Sequence, residues 1–332
     1  MLEFEDINDE LTKKIEEKCK AGLMPVASIR VTPSNCVMPR EFKPYAERLM
    51  NFEVREDDVW VISYPKCGTT WTQELVWLLG NNFDYDTAKQ KLLLQRFPFL
   101  EAVSIINQND LIQENGTLFG DTISFVQEQQ SPRFIKSHLP VQLLPKDIWV
   151  KKPKIIYVTR EPKDAAVSYF HHHRLWNGYE GSFDDFMKAF LEDKVVYSPF
   201  WSHVNSYKKL AKHMPNVLVN SYEDMQLNLP EVIKKTAKFL EKPISDKQLK
   251  KLTNHLSFDS MKNNPAINGE EFIKDVIVKY DMPRDDPELT FIRKGIMGSW
   301  KKEMSPELVK KFDEWTEMNG IEDDDQENKV KV

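Results

Sequence analysis

Four compact apolar runs, each broken by polar residues and then followed by further patterned chain, constrain this sequence more than any other feature. The first, "DVWVISY" (Asp58–Tyr64), leads through "PKCG" into "TTWTQELVWLLG", where Trp71, Leu75, Leu78 and Leu79 recur at helical spacing up to Gly80. "RFIKS" (Arg133–Ser137) and "KIIYVTR" (Lys154–Arg160) are the second and third. The third runs into "EPKDAAVSYFHHHRL", where Pro162 suits the first turn of a helix. The fourth, "NVLVNSY" (Asn216–Tyr222), precedes the amphipathic "LPEVIKKTAKFLEK". Strands alternating with helices predict βαβ units, hence an α/β fold: a central parallel β-sheet flanked by helices, in a single domain. Ligands of such sheets bind beyond the carboxyl ends of the strands, and the polar clusters of this sequence fall there.

The first loop, "SYPKCGTTW" (Ser63–Trp71), is P-loop-like with a displaced lysine. A P-loop has G-x-x-x-x-G-K-[ST], whereas here Lys66 precedes a single glycine, Gly68. The loop leaves a strand and opens a helix near Thr69, so the amides from Cys67 to Thr70 point toward one spot suited to an anion. Thr69 and Thr70 add hydroxyls, Lys66 a full charge able to neutralise a leaving group, and Trp71 a flat face for a base. The plainer alternative is a tight turn at Pro65–Gly68 with Trp71 in the core. Arg160 closes the third strand with Ser168 eight residues on, a pair able to grip a terminal phosphate by a guanidinium fork and a hydroxyl. Taken alone, Arg160 bridged to Glu161 or Asp164 is the simpler expectation. Lys136 and His138 in "RFIKSHLP" stand two apart at a strand end and so share one side of a cleft, with the histidine suited to general-base work near neutrality. Consecutive His171, His172 and His173 point about 100° apart on a helix and cannot converge on one metal ion.

Composition bounds the rest. A net charge of −6 argues against a general nucleic-acid binder. The three cysteines, Cys19, Cys36 and Cys67, form neither an even disulfide framework nor a metal-type spacing. The acidic N-terminus lacks the apolar region of a signal peptide, and no run approaches the roughly 18 apolar residues of a membrane helix. A cytoplasmic protein with no membrane and no nucleic-acid partner is expected. Residues 1–50 read as a leader packed on the core, one polar helix followed by an irregular stretch with Pro25, Pro33, Pro39 and Pro44. Residues 51–318 form the main domain, and 319–332 a charged tail.

Together these segments resemble the cytosolic sulfotransferases, over roughly residues 40 to 315. The family's Y-P-K-S-G-T-T-W is matched by Tyr64–Trp71 with one change. "RFIKSHLP", "YVTREPKDAAVSYFHHHR", "YEDM" (Tyr222–Met225), "SFDSMKNNP" (Ser257–Pro265) and "FIRKGIMGSW" follow in the family's order. The style of "TQELVWLL" and "FHHHRL" looks like the arthropod branch.

The resemblance implies 3′-phosphoadenosine 5′-phosphosulfate (PAPS) as donor, adenosine 3′,5′-bisphosphate (PAP) as product, and no required metal, because lysines neutralise the charge. It implies that Lys66, Cys67, Gly68, Thr69 and Thr70 cradle the 5′-phosphate and that Trp71 and Phe258 sandwich the adenine. Tyr222, Leu256, Ser257, Met261, Phe291 and Ile292 belong to the same donor site. Arg160, Ser168, Arg293, Lys294 and the Gly295 amide would hold the 3′-phosphate. His138 is the implied base, Lys66 the stabiliser of the leaving phosphate, and Lys136 a further catalytic cation. Phe97 and Phe99 of "RFPFLE" and Trp176, beside Lys136 and His138, imply a small hydrophobic acceptor such as a phenol, alcohol or amine.

Three departures stand out. Cys67 replaces a serine able to hydrogen-bond the lysine, which a thiol does only weakly. Leu256 replaces a threonine donor. Ser305, Pro306 and Lys310 depart from the vertebrate dimer motif over Lys301–Lys310, so a homodimer is possible without the usual interface. A nucleotide kinase would need a lysine after the glycines and a magnesium carboxylate. A dehydratase of this fold, or a non-catalytic binding relative, stands as an alternative.

Overall fold

The computed structural model describes residues 2–20, 26–106, 120–282 and 286–320. Four parallel strands form the central sheet: β4 (Val59–Ile62), β5 (Phe134–Ser137), β6 (Lys154–Thr159) and β7 (Val217–Ser221), in the order β5-β4-β6-β7. Each sits inside one of the four apolar runs. The helices Thr69–Gly80, Pro162–Asn177 and Leu229–Phe239 follow β4, β6 and β7 closely, as their patterns predict. Trp60, Val61 and Ile62 are inaccessible to solvent, because helices cover both faces of a parallel sheet. In register, Ile62 lies between Ser137 and Tyr157, so the loops after β4, β5 and β6 emerge side by side. The chain runs from β4 outward to β5, then crosses to β6 on the other flank. The crevice where that direction reverses lies beyond the ends of β4 and β6.

Two buried ionic clusters fix this arrangement. Just before β5, Arg133 donates to both carboxylate oxygens of Asp58, at 2.7 and 2.6 Å, just before β4, with both side chains fully buried. On the Thr69 helix, Glu74 accepts from Arg96 (2.6 Å) and contacts His255 Nε2 (2.7 Å), tying that helix to the chain on both sides of it. Charges this deep are tolerated because every one is paired.

The N-terminal segment differs from its sequence expectation. The polar helix is present (Glu10–Glu17), but the stretch expected to be irregular supplies two strands. β2 (Ile29–Thr32) and β3 (Cys36–Met38) pair antiparallel around a turn at Pro33–Asn35, and β1 (Glu3–Asp6) adds to β2. Ile29, Val31, Val37 and Met38 are buried in the main core cluster, so this small sheet packs its apolar surface onto the core. Most of the charged tail, residues 321–332, lies outside the described residues.

Candidate active site

The loop after β4 is built around two left-handed backbone positions. Lys66 takes φ +68° and Gly68 φ +102°. A Cβ on Gly68 would stand 2.9 Å from Tyr222 Cδ2, so this position needs glycine for both its torsion and its space. Gly68 caps the Thr69 helix without a side-chain hydrogen bond, and the first internal bond runs from Thr72 N–H to the Gly68 carbonyl. Among the described residues, the amides of Thr69, Thr70 and Trp71 have no protein partner. Three convergent N–H groups at a helix start form an anion seat. Thr69 is tied down by Ser63 Oγ at 2.6 Å, and Trp71 donates its indole N–H to the Leu256 carbonyl at 2.9 Å.

His138 follows β5 and leans on the neighbouring loop. Its Nδ1 lies 2.7 Å from the Ser63 carbonyl, which only accepts, so Nδ1 carries the proton and Nε2 keeps its lone pair. The rings of Phe99 (5.2 Å) and Tyr197 (5.5 Å) flank the imidazole. Its backbone N–H donates to Glu101 at 2.5 Å, and its carbonyl accepts from His203 Nε2 at 3.0 Å. Burial, then the nearby Lys136 charge, hold the His138 pKa well below the usual imidazole value, which keeps it neutral. Lys136 stands over Phe99 at 4.1 Å, on the same ring that His138 touches. Burial pulls the Lys136 pKa down to about 8, with Glu101 opposing. Glu101 is itself fully buried, its carboxyl pushed up to about 7 by burial.

Lys66 reaches across to the Pro162 helix. Its Nζ lies 3.4 Å from His172 Nδ1 and 4.7 Å from the Phe291 ring centre. Its pKa is drawn down to about 7, first by burial and then by the charges of Lys136, Arg160 and Arg293. Arg160 bonds neither Glu161 nor Asp164. It donates to the carbonyls of Lys66 (3.0 Å) and Ile296 (3.2 Å), stacks on Tyr222 (4.2 Å) and leaves a buried Nε unpartnered. Asp164 instead accepts from Gly298 N (2.6 Å), Ser299 Oγ (2.9 Å) and Trp300 N (3.3 Å), clamping the late loop to this helix. In that loop, Gly295 has φ +59° and lies where a Cβ would be 2.1 Å from Phe258 Cδ2. Arg293 and Lys294 each reach Glu288 (2.6 and 3.2 Å) and Glu303 (3.2 and 3.4 Å).

Most residues singled out in the sequence are thus brought together, but five need revision. Phe97 is fully buried against Phe134 (5.6 Å) in the core beneath the sheet and lines no open cavity; Phe99, two residues on, faces the site. The Leu256 side chain is also core, and its contact with the site runs through its carbonyl. The Cys67 thiol is buried, its pKa pushed up by that burial, and bonds the Pro65 carbonyl at 3.8 Å without engaging the Lys66 amine. Arg293 and Lys294 are both engaged by Glu288 and Glu303, Arg293 largely buried and Lys294 still exposed. Ser168 is half-buried on the Pro162 helix. The three histidines diverge as expected: His171 to Glu303 (2.7 Å), His172 to Lys66, His173 to the Tyr169 carbonyl (3.0 Å). Sequence reasoning missed Ser63, Glu101 and His172 as members of the site. His172 carried a signal, standing one helical turn beyond Ser168.

A parallel sheet with an amide cradle, a neutral imidazole and a ring of cations at its switch point defines an α/β enzyme for anionic, nucleotide-type donors. Residues 56–328 match the family model described as the sulfotransferase domain. Luciferin sulfotransferase of Photinus pyralis is 43% identical over 82% of this chain and 74% of its own. Human sulfotransferase 1E1 is 34% identical over 83% and 88% respectively. Among solved structures, a retinol dehydratase in complex with androsterone and inactive cofactor PAP superposes with a TM-score of 0.84, at 29% identity over 96% of each chain. The chain belongs to the sulfotransferase family and is a PAPS-dependent sulfotransferase. Among the described residues, no helix is long and apolar enough to cross a membrane.

Proposed function

We propose that this enzyme moves the sulfuryl group of PAPS to a hydroxyl or amine of a small hydrophobic acceptor, with His138 as the base. The observation that carries this reading is the His138 tautomer. The Ser63 carbonyl fixes the proton on Nδ1 and leaves the Nε2 lone pair available beside two lysines of lowered pKa. His138 Nε2 takes the acceptor's proton, Lys66 meets the charge growing on the leaving phosphate oxygen, and Lys136 faces the sulfuryl oxygens. The residues present fit the donor. The unpartnered amides at the helix start suit its 5′-phosphate, and the orphaned Nε of Arg160, with Ser168, Arg293, Lys294 and the Gly295 amide, suits its 3′-phosphate. Trp71, pinned by Leu256, offers its face to the adenine, opposite Phe258. When bound, the donor supplies an activated sulfuryl group; positioning and electrostatics supply the rest.

Phe99 beside His138, and Trp176 beside Phe291 (6.3 Å), give the acceptor side aromatic walls. The ligands named for the solved relative, androsterone and retinol, are hydrophobic alcohols, which suits such walls. The same likeness supports a second reading, in which an allylic alcohol is sulfated and sulfate then eliminated. Labelled PAPS supplied with a phenol and with an allylic alcohol tests both. A stable sulfate ester from each supports transfer, and a diene with free sulfate from the alcohol supports dehydration. His138→Ala should abolish transfer while PAP still binds. Transfer retained in that variant removes His138 as the base.

A further inference from the structure

Lys66 has an unusual environment for a group that must carry positive charge. The cations that bear on its ammonium are Lys136 from the end of β5, Arg160 from the end of β6 and Arg293 from the late loop, with the Cys67 thiol of its own loop acting in the opposite sense. Among the described residues it makes no ion pair with a carboxylate, and its Nζ has one hydrogen-bond partner, His172 Nδ1. A lysine ammonium only donates, so Nδ1 accepts and the His172 proton sits on Nε2. That is the opposite tautomer from His138. The groups bearing on His172 are Lys66, His173, Lys136 and His138, with burial acting first, and all of them favour the neutral ring that can accept. The imidazole is held among Tyr169 (6.1 Å), Trp176 (6.0 Å) and Phe291 (6.3 Å). Ser168, His172 and Trp176 lie four residues apart, a single stripe of the Pro162–Asn177 helix running from the phosphate end of the site to the acceptor end.

We propose that His172 is a positioning residue for Lys66: as a neutral acceptor it holds the amine in place and favours its charged form against the surrounding cations. The proposal rests on the leaving-group role given to Lys66 above. His172 fixes where the ammonium sits and up to what pH it stays charged, without touching the reacting atoms. Glu101, a buried carboxyl that bears on Lys136, bonds the His138 backbone instead and is not a substitute partner.

The test compares His172→Asn, whose Oδ1 can replace Nδ1 as acceptor, with His172→Phe, which keeps an aromatic ring but accepts nothing. The readout is the pH profile of kcat/KM for PAPS. In wild type the alkaline limb reports loss of the Lys66 charge. His172→Phe should move that limb down by about one pH unit, about 1.4 kcal/mol, and His172→Asn should restore it. Coincident limbs in all three proteins overturn the proposal, as does a limb moved equally by both variants. Should His172→Phe fail to fold, nitrogen NMR of wild-type imidazoles decides: an Nε2–H tautomer for His172 upholds the proposal, and Nδ1–H overturns it. Wild type that transfers no sulfuryl group at any pH defeats the functional reading itself, and that failure is separate from these outcomes.

Discussion

Gly295→Ala tests whether the late loop is part of the donor site or merely near it. The new methyl would stand 2.1 Å from Phe258 Cδ2, and the backbone there has φ +59°. The left-handed torsion costs roughly 1–2 kcal/mol for a residue with a Cβ. The overlap adds roughly 1–3 kcal/mol unless something moves. Gly295 and Phe258 are both only half-buried, so the loop and the ring can separate without opening the core. The cost therefore falls on the bound geometry and not on the fold. Forming that geometry at a cost of about 2–5 kcal/mol corresponds to a loss of about 30-fold to a few thousand-fold in affinity. Titration calorimetry with PAP reads this directly, with a melting curve of the free protein as control. Weakened binding with a melting point within a few degrees of wild type supports the assignment. Unchanged affinity refutes the reasoning, and so does a large fall in melting point.

Three further outcomes follow from the same geometry. The kcat/KM profile for PAPS should be a bell whose acid limb lies well below pH 6.5, where His138 gains a proton and ceases to be a base. Its alkaline limb should lie near 7, where Lys66 loses its charge, while the limb of kcat falls later because a bound anion raises that lysine; an acid limb above 6.5 contradicts this. Glu288→Gln removes one carboxylate competing for Arg293 and Lys294, so PAP affinity by calorimetry should rise several-fold, and a fall would count against those cations as phosphate ligands. Asp58→Ala leaves the Arg133 guanidinium buried without its partner, and chemical denaturation should show about 3–5 kcal/mol lost; a loss under about 1 kcal/mol would mean that water reaches the site.

The sheet was legible because each strand lies in a short, largely apolar run, and a patterned helix follows β4, β6 and β7 closely. Parallel strands covered on both faces need no alternation, and polar residues gather where each run ends. Arg160 and Lys66 could be placed for the same reason. The N-terminal sheet was not legible. Its strands are three or four residues long, too short for a period to show, and β1 finds β2 across an intervening helix; only the turn Pro33–Asn35 marked the hairpin. Phe97 and Phe99 look alike in "RFPFLE", and no local rule says which one turns inward. The contacts of His172 with Lys66 and of Glu101 with His138 join segments 106 and 37 residues apart, so sequence spacing gave no warning of them. Cys67 looked like a weakened restraint on the lysine; the structure shows that its thiol faces a loop carbonyl and that the lysine's partner is elsewhere.

The proposed site suits a nucleotide that carries a phosphate at both 3′ and 5′ positions, held by protein cations and amides without a magnesium carboxylate. Thermal melting with PAP, set against ADP with and without magnesium, tests it most directly. At about 100 times its dissociation constant, a ligand of the native state adds about 2.7 kcal/mol, or about 5 °C in a domain of this size. A rise of that size is expected for PAP, unaffected by magnesium, and little for ADP at the same concentration. Equal shifts, or a magnesium-dependent preference for ADP, would contradict it.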